Sequence, residues 1–406
     1  MPSKVNMKKS APEILCVTVI SLLVGVVCGL LGTLFVKSIS LVTDLRGNNS
    51  WILYLLPVFG LILTFGYNKL NVKGVGTNNI IKGVRTEEKT SPALSVAVFM
   101  GTVLSHFGGA SVGREGAALQ LGGSIGEFSS RIFKTSGSAR RILVMSGMSG
   151  FFSALFGTPF AAFLFVLEVV RIGKNCLVAI VPVFLSSITA FLIANNIGVE
   201  PEHFPVSEIP QISFDILWKF ILISVVGAFA SWLFVFVLHK TEEIFDKAIK
   251  NEYIRVVAGG LIIILLTKIL GTTDYNGGGI NVVHHVFTHG EVDYEAFLLK
   301  IIFTALSIGA GYKGGEIVPT IFIGGTLGGA GALLLGLNPA FGGAIGITAL
   351  FSGVTNCPFA TVVLACEMFG IEGVGYYLVA SAIGFALSGK ISLYKGSKMP
   401  FLKSII

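Results

Sequence analysis

The chain has 406 residues, of which 53% are hydrophobic and only 13% are charged, with a net charge of +7. Soluble domains carry about 25% charged residues, so the composition excludes an ordinary soluble protein and indicates a polytopic membrane protein. The positive charge does not indicate nucleic-acid binding, because the basic residues lie in short loops beside apolar segments. The apolar segments follow one another without a soluble linker. One membrane domain over residues 1–406 is therefore expected, without a soluble regulatory domain.

The first half of the chain contains five apolar segments, at residues 14–36, 51–67, 94–107, 142–170 and 177–194. The fourth segment is interrupted by Gly157 and Pro159, which predicts two helices or one broken helix. After the second segment comes a polar, glycine-rich run with two asparagines, Gly76-Thr77-Asn78-Asn79. It is either a simple turn or a loop whose N–H groups and amide side chains line a polar cavity.

The second half begins after residues 198–211, which contain three glutamates, three prolines and no basic residue and are predicted to lie outside. Further apolar spans are predicted at residues 216–238, 256–270, 340–351, 359–369 and 374–387. Residues 239–255 are predicted to be interfacial or cytoplasmic, and residues 271–295 to form a loop. Lysines are concentrated near both ends of the chain, so both termini are predicted to be cytoplasmic.

The cysteines and loop histidines do not predict a metal or redox site. The five cysteines lie in or beside apolar segments without CxxC spacing, and we expect small buried hydrophobic residues rather than disulfides or zinc ligands. These are Cys16, Cys28, Cys176, Cys357 and Cys366. His284, His285 and His289 complete no familiar ligand pattern with the acidic residues nearby. No metal and no cofactor is expected.

The run Gly113-Arg114-Glu115-Gly116 places two charges inside apolar sequence. An ionisable residue at membrane depth is costly and by default indicates a functional site. The glycines allow close approach of the backbone to a small ligand, and a helix N-terminus attracts anions through its free N–H groups. The run predicts a place where a small anion meets backbone amides, with Glu115 as a competing, protonatable anion. The alternative is a pair of close-packing glycines with Arg114 and Glu115 at an interface.

A second charged interruption corresponds to the first. It reads Lys313-Gly314-Gly315-Glu316-Ile317-Val318-Pro319, and both interruptions precede a similar glycine-rich run. Downstream, Pro159 and Glu168 match Pro358 and Glu367 at the same spacing. Two related halves, about 14–198 and 213–389, with corresponding glycine-broken segments are typical of transporters built from structural repeats, whose substrate lies near the midplane. The alternative is chance similarity of apolar, glycine-rich sequence.

These motifs resemble the CLC family of anion channels and proton-coupled antiporters. Residues 113–116 match its gating-glutamate motif, residues 156–159 its proline-bearing segment, residues 314–319 its second filter motif, and Tyr394 its anion-coordinating tyrosine. The resemblance implies an all-α fold of two halves in an inverted repeat, with broken helices meeting at a midplane anion site. It also implies a homodimer with one pathway per subunit in the plasma membrane.

The chain departs from the common family pattern. The run at residues 76–80 replaces the first filter motif with its serine, Glu316 replaces an apolar residue, and Val169 stands where chloride antiporters have a proton-relay glutamate. No regulatory nucleotide-binding pair is expected after the membrane part. These departures resemble the fluoride/proton antiporter branch.

The resemblance implies roles for individual residues. Glu115 would gate the pathway and transfer protons, and Glu316 would be the coupling carboxylate; its alternative is a structural carboxylate. The expected anion-binding residues are Gly76, Thr77, Asn78, Asn79, Gly113, Arg114, Gly116, Ile317, Val318 and Tyr394. Tyr394 could instead be a membrane-interface tyrosine. Glu168 and Glu367 are expected to be solvated or capping carboxylates at helix ends.

Three classes of function follow. The first is proton-coupled antiport that exports fluoride, with fluoride and protons as substrates and the bilayer as partner. The second is a chloride-type antiporter or passive anion channel of the same family. The third, an intramembrane enzyme, is disfavoured because the chain contains no His-Glu-x-x-His run and no paired membrane aspartates.

Overall fold

The computed structural model describes residues 11–86, 88–171, 176–206 and 208–394. The basic N-terminal segment and the tail after Tyr394, which support the prediction of cytoplasmic termini, lie outside these ranges. The described residues form sixteen α-helices: α1 Ala11–Asn48, α2 Leu56–Lys69, α3 Thr77–Thr86, α4 Ala93–Gly108, α5 Glu115–Ile132, α6 Gly137–Phe156, α7 Pro159–Val170, α8 Cys176–Asn196, α9 Phe214–Ala248, α10 Glu252–Leu270, α11 Ile280–Thr288, α12 Ala296–Ala310, α13 Ile317–Leu334, α14 Pro339–Thr355, α15 Pro358–Phe369 and α16 Val374–Leu387.

The architecture is that of a polytopic membrane protein. Six helices of the described chain are long and apolar enough to cross a bilayer, and others, such as α7 and α15 with 12 residues each, are not. Several of the shorter helices begin or end inside the protein. This arrangement is tolerated in a membrane only where the free backbone groups are buried in protein or face a polar cavity.

The helices α1–α8 and α9–α16 form two related halves. In both halves the fifth helix follows a charged glycine motif and packs on the sixth, and the seventh begins with a proline. The halves also exchange matching hydrogen bonds. The Ser111 N–H donates to Ser307 Oγ at 2.8 Å, and the Lys313 N–H donates to Ser105 Oγ at 3.0 Å. The loop before the fifth helix of each half is therefore held by the fourth helix of the other half.

Glycines set the close crossings of α5 with α6 and of α13 with α14. A β-carbon on Gly147 would lie 2.0 Å from the carbonyl oxygen of Gly122, and one on Gly122 would lie 2.1 Å from that of Gly147. In the second half a β-carbon on Gly346 would lie 2.3 Å from the carbonyl oxygen of Gly324. Small residues are typical of such crossings, because helix association in a membrane depends on close packing. These crossings fix the positions of α5 and α13.

The sequence prediction was wrong where helices are short. Helix α3 begins within the polar run after the second span, and α11 lies inside the predicted loop 271–295. Helix α9 continues to Ala248 through much of the segment 239–255, whose interfacial or cytoplasmic position stays a prediction. Both short helices bury apolar side chains on one face, such as Ile80 and Ile81 of α3 or Val283 and Val286 of α11. Nine or ten residues are too few to give the hydropathy signal of a span.

The cysteines occupy different environments. Cys28 and Cys357 are buried, Cys366 is half-buried and Cys16 is exposed on α1, so the prediction of burial was wrong for Cys16. The side chain of Cys176 lies outside the described residues. Within the described ranges, no cluster of three His, Cys, Asp or Glu side chains could hold a metal ion.

Gly147→Ala should destabilise the protein, because its new β-carbon would meet the Gly122 carbonyl and force the α5–α6 crossing apart. Overpacking of this kind costs about 1–3 kcal/mol or more. The matched control is Gly66→Ala in α2, whose β-carbon would meet nothing within 4 Å. Thermal unfolding of the purified variants in detergent measures the difference, and equal stability of the two variants would contradict the proposed role of the crossing.

Candidate functional site

The two charged glycine motifs pair with each other through their backbones. The Gly113 N–H donates to the Gly315 carbonyl at 2.7 Å, and the Gly315 N–H donates to the Gly113 carbonyl at 2.6 Å. The two motifs also touch at Gly116, where a β-carbon would lie 2.6 Å from Gly315 Cα. The N-termini of α5 and α13 therefore lie side by side in the interior of the protein.

A third helix N-terminus joins this junction. Helix α3 begins at Thr77, whose hydroxyl donates to the Gly116 carbonyl at 3.2 Å. The Gln120 amide, one turn further along α5, donates to the same hydroxyl at 3.1 Å. The free N–H groups and positive dipole ends of three helices thus converge, an arrangement that favours negative charge.

The residues before α3 are only partly directed toward the junction. The Gly76 N–H donates to Asn79 Oδ1 at 3.0 Å, so this predicted anion donor is already used within its own turn. The Asn79 residue is exposed, whereas Thr77 and Asn78 are half-buried. Of this run, the structure places Thr77 in direct contact with α5.

The Glu115 carboxylate lies at the N-terminus of its own helix. Its Oε2 accepts from the Arg114 N–H at 3.0 Å and its Oε1 accepts from Arg114 Nε at 3.1 Å, and the residue is fully buried. The Arg114 guanidinium also forms an ion pair with Glu202. A β-carbon on Gly113 would lie 3.0 Å from Glu115 Oε2. The carboxylate thus takes the space in which an external anion would meet the end of α5.

Glu316 brings a second carboxylate to the same junction. It immediately precedes α13 and is half-buried, and its carbonyl accepts from the Thr320 N–H and hydroxyl at 3.0 and 2.8 Å. A β-carbon on Gly116 would lie 3.2 Å from Glu316 Oε2, so the carboxylate faces the start of α5. Glu316 stands one residue before its helix, as Arg114 does before α5, whereas Glu115 is the first residue of α5.

Tyr394 provides a buried hydroxyl without a hydrogen-bond partner among the described residues. The residue is 2% exposed, and its ring lies 6.0 Å from that of Phe165. A buried hydroxyl normally has a partner, and this one is free to donate to an ion.

The first residues of α13 complete the surroundings. Ile317 and Val318 are buried, and N–H groups of a first helical turn have no partner within the helix. The Gly113 N–H differs, because it is used in the bridge to Gly315. Val169, on α7, is fully buried and provides no carboxylate.

Glu168 and Glu367 cap helices, as the sequence predicted. Glu367, near the end of α15, accepts from the Ala161 N–H at 2.7 Å at the start of α7. Glu168, near the end of α7, accepts from the Ala360 N–H at 2.9 Å at the start of α15. Each carboxylate therefore satisfies free N–H groups and the dipole of the opposite helix.

Three polar residues were missed from the sequence, two at the junction and one at the far end of α5. Gln120 follows Gly116 at helical spacing, which could have predicted its contact with the junction. Glu202 lies in the acidic segment 198–211, and only the folded chain brings it to Arg114. Glu127 is buried at the other end of α5 and forms an ion pair with Arg140 at 2.7 Å.

Comparisons with known proteins agree with this geometry. The family described as voltage gated chloride channel matches residues 59–389. A chloride/fluoride channel protein of Pseudomonas syringae pv. tomato is 33% identical over 385 residues, covering 93% of this chain and 85% of the relative. The H(+)/Cl(-) exchange transporter ClcA of Vibrio cholerae is 27% identical over 410 residues, covering 92% and 85%.

Solved structures share the fold. The crystal structure of a CLC-type fluoride/proton antiporter superposes with a TM-score of 0.92 at 28% identity, covering 97% of this chain and 100% of that one. The structure of a slow cyanobacterial Cl−/H+ antiporter gives a TM-score of 0.81 at 20% identity, covering 92% and 94%, and shows the common fold alone. With its inverted halves and paired glycine motifs, the chain belongs to the voltage gated chloride channel family, the CLC family of anion channels and transporters.

Proposed function

We propose that this protein exchanges fluoride for protons across the cell membrane and so exports fluoride. The observation that carries the proposal is the meeting of two carboxylates, Glu115 and Glu316, at the junction of three helix N-termini, with the apolar Val169 in α7. The similarity to the CLC-type fluoride/proton antiporter structure supports the same function.

The donors around the junction suit a small, strongly hydrated anion. Fluoride must exchange its water for dense hydrogen-bond donors. The N–H groups that begin α5 and α13, including those of Gly116, Ile317 and Val318, would supply them together with the hydroxyl of Tyr394. The Thr77 hydroxyl, which donates to the Gly116 carbonyl, would have to turn away from it to join them. The half-buried Asn78 would add an amide.

Coupling would follow from competition for one space. When ionised, Glu115 lies where the anion binds; when protonated, it can leave and admit the anion, because like charges do not share a site cheaply. Glu316 would hold or position a second proton at the same junction, in place of the carboxylate that Val169 does not provide. Anion movement in one direction and proton movement in the other would then be linked.

The pathway needs a membrane setting and a subunit arrangement. We propose a multi-pass plasma-membrane protein with cytoplasmic termini and residues 198–211 outside. We also propose a homodimer with one pathway per subunit.

A passive anion channel or chloride-type antiporter is the second candidate. The name of the Pseudomonas syringae relative, a chloride/fluoride channel protein, favours a channel. The absence of a carboxylate at Val169 favours a channel over a chloride-type antiporter, which has a proton-relay glutamate at that place. A channel moves anions without driving protons uphill, so simultaneous recording of anion flux and pH separates the two.

Anion selectivity is the first test. Proteoliposomes loaded with fluoride should release it much faster than chloride-loaded ones release chloride, because dense short-range donors favour the smaller ion. Ion-selective electrodes measure both rates in the same vesicle preparation, with protein-free vesicles as control. Equal rates would refute the fluoride assignment and leave the family membership intact.

Glu115→Gln should abolish proton coupling, since an amide cannot release a proton at any accessible pH. A fluoride gradient should no longer drive protons uphill, as recorded by the external pH of proteoliposomes. The control variant is Gln120→Ala, which removes the contact to Thr77 and leaves Glu115 in place. Gln120→Glu is not used because it would add a charge. Persistent uphill proton movement in Glu115→Gln would remove this residue from the central role.

Glu316→Gln should impair proton-coupled fluoride movement while leaving the fold intact, because its carboxylate faces the junction at Gly116. Glu168→Gln and Glu367→Gln are matched controls, in which one oxygen still accepts a capping hydrogen bond. They should retain most of the transport. Proton pumping by Glu316→Gln at the parent rate would contradict the two-carboxylate mechanism.

A further inference from the structure

A cavity of about 740 Å³ opens on the side of the junction where Glu202 lies. On the side of the junction, the cavity is lined by Gly113, Arg114 and Val318. On the side of the surrounding segments, it is lined by Arg46 and Asn276. An anion that passes the end of α5 on this side therefore enters the cavity directly.

Two basic side chains, one in the wall of the cavity and one bonded to the backbone behind that wall, have no carboxylate at ion-pair distance in the part of the chain that the structure describes. The half-buried Arg46, in the last turn of α1, donates from Nη1 to the His106 carbonyl. Lys300 on α12 is fully buried, and its Nζ donates to the carbonyls of Tyr275 and Gly277 at 3.2 and 2.8 Å. A guanidinium stays charged, so Arg46 leaves one positive charge without a carboxylate partner, whereas the amino group of Lys300 is used by the two carbonyls.

The carboxylates near the cavity do not neutralise the charge of Arg46. Glu115 and Glu202 both pair with Arg114. Asp44 and Asp274 line the cavity but are exposed, and water and salt screen an exposed charge far more than a half-buried one such as that of Arg46.

The loop beside Arg46, which contains Asn276 and Gly277, is hydrogen-bonded to the segment before α5. The Gly277 N–H donates to the Ala110 carbonyl at 3.1 Å, and the Asn276 amide donates to the Gly109 carbonyl at 2.8 Å. Gly277 has a φ of +60°, and a β-carbon there would lie 3.2 Å from Arg46 Nη2. A side chain at this position would crowd the guanidinium, which lies close to the loop that is bonded to the segment before α5.

We propose that Arg46 forms an outer binding site for a small monovalent anion. A guanidinium has five N–H donors. In Arg46 one nitrogen donates to the His106 carbonyl, which leaves other N–H groups for an anion in the cavity. The inference rests on the proposed function in one respect, that the anion passes Glu115. The site concentrates anions at the outer end of the pathway and is distinct from the junction of helix N-termini.

The test measures anion flux in proteoliposomes over a range of fluoride concentrations, with chloride in parallel. Arg46→Gln should raise the half-saturating anion concentration about five-fold with little change in maximal rate, because it removes a charge outside the central site. Arg46→Lys should retain most of the affinity. Lys37→Gln on the same helix, where Lys37 is bonded only to the Ile197 carbonyl among the described groups, is the control. Unchanged half-saturation in Arg46→Gln would overturn the proposal.

A second measurement avoids comparison between separately folded variants. Arg46→Cys, in a background with the exposed Cys16 replaced by Ala, is treated with a positively or a negatively charged methanethiosulfonate reagent. The positive reagent should lower the half-saturating concentration and the negative one should raise it; equal effects would refute the site.

If the parent protein transports neither anion, the proposed function fails. Calorimetric titration of solubilised parent and Arg46→Gln with fluoride and chloride then decides the site alone, and equal binding overturns it.

Discussion

The backbone bridge between Gly113 and Gly315 is the contact on which the rest of the structure depends. Two short hydrogen bonds join the halves at the point where α5 and α13 begin, and the neighbouring Gly116 approaches Gly315 too closely for any side chain. The first N–H groups of α5 and α13 have no partner within their helices, as at the start of any α-helix. The bridge brings these two helix starts side by side and so concentrates their free donors in one place.

The two halves complete each other at several levels. Ser105 and Ser307 each hold the loop of the opposite half, and Glu168 and Glu367 each cap a helix of the opposite half. A half alone would leave buried N–H groups unsatisfied, which costs more in a membrane than in water. This mutual capping explains how short helices can end inside the protein.

The symmetry of the scaffold does not extend to the chemistry of its centre. In the first half an arginine precedes α5, and its guanidinium holds Glu115 and Glu202 together. In the second half the equivalent place before α13 is taken by Glu316, with no ion pair to hold it within the described chain. One scaffold therefore presents two carboxylates in different surroundings. Such a difference is what separate roles in gating and in coupling would require.

The sequence by itself determined the membrane class, most spans and the two charged glycine motifs, because hydropathy is a local property and a charge in apolar sequence is conspicuous. It did not determine helices α3 and α11, which are too short for a hydropathy signal and are stabilised by burial of one face. Only the tertiary structure showed that the Gly76 N–H is used by Asn79 and that Arg114 meets Glu202. The arrangement of Arg46 beside Gly277 also belongs to the tertiary structure, since more than two hundred residues separate them and no periodicity links them. Local sequence fixes which groups enter the membrane, whereas pairing between distant segments decides which of them remain free for an ion.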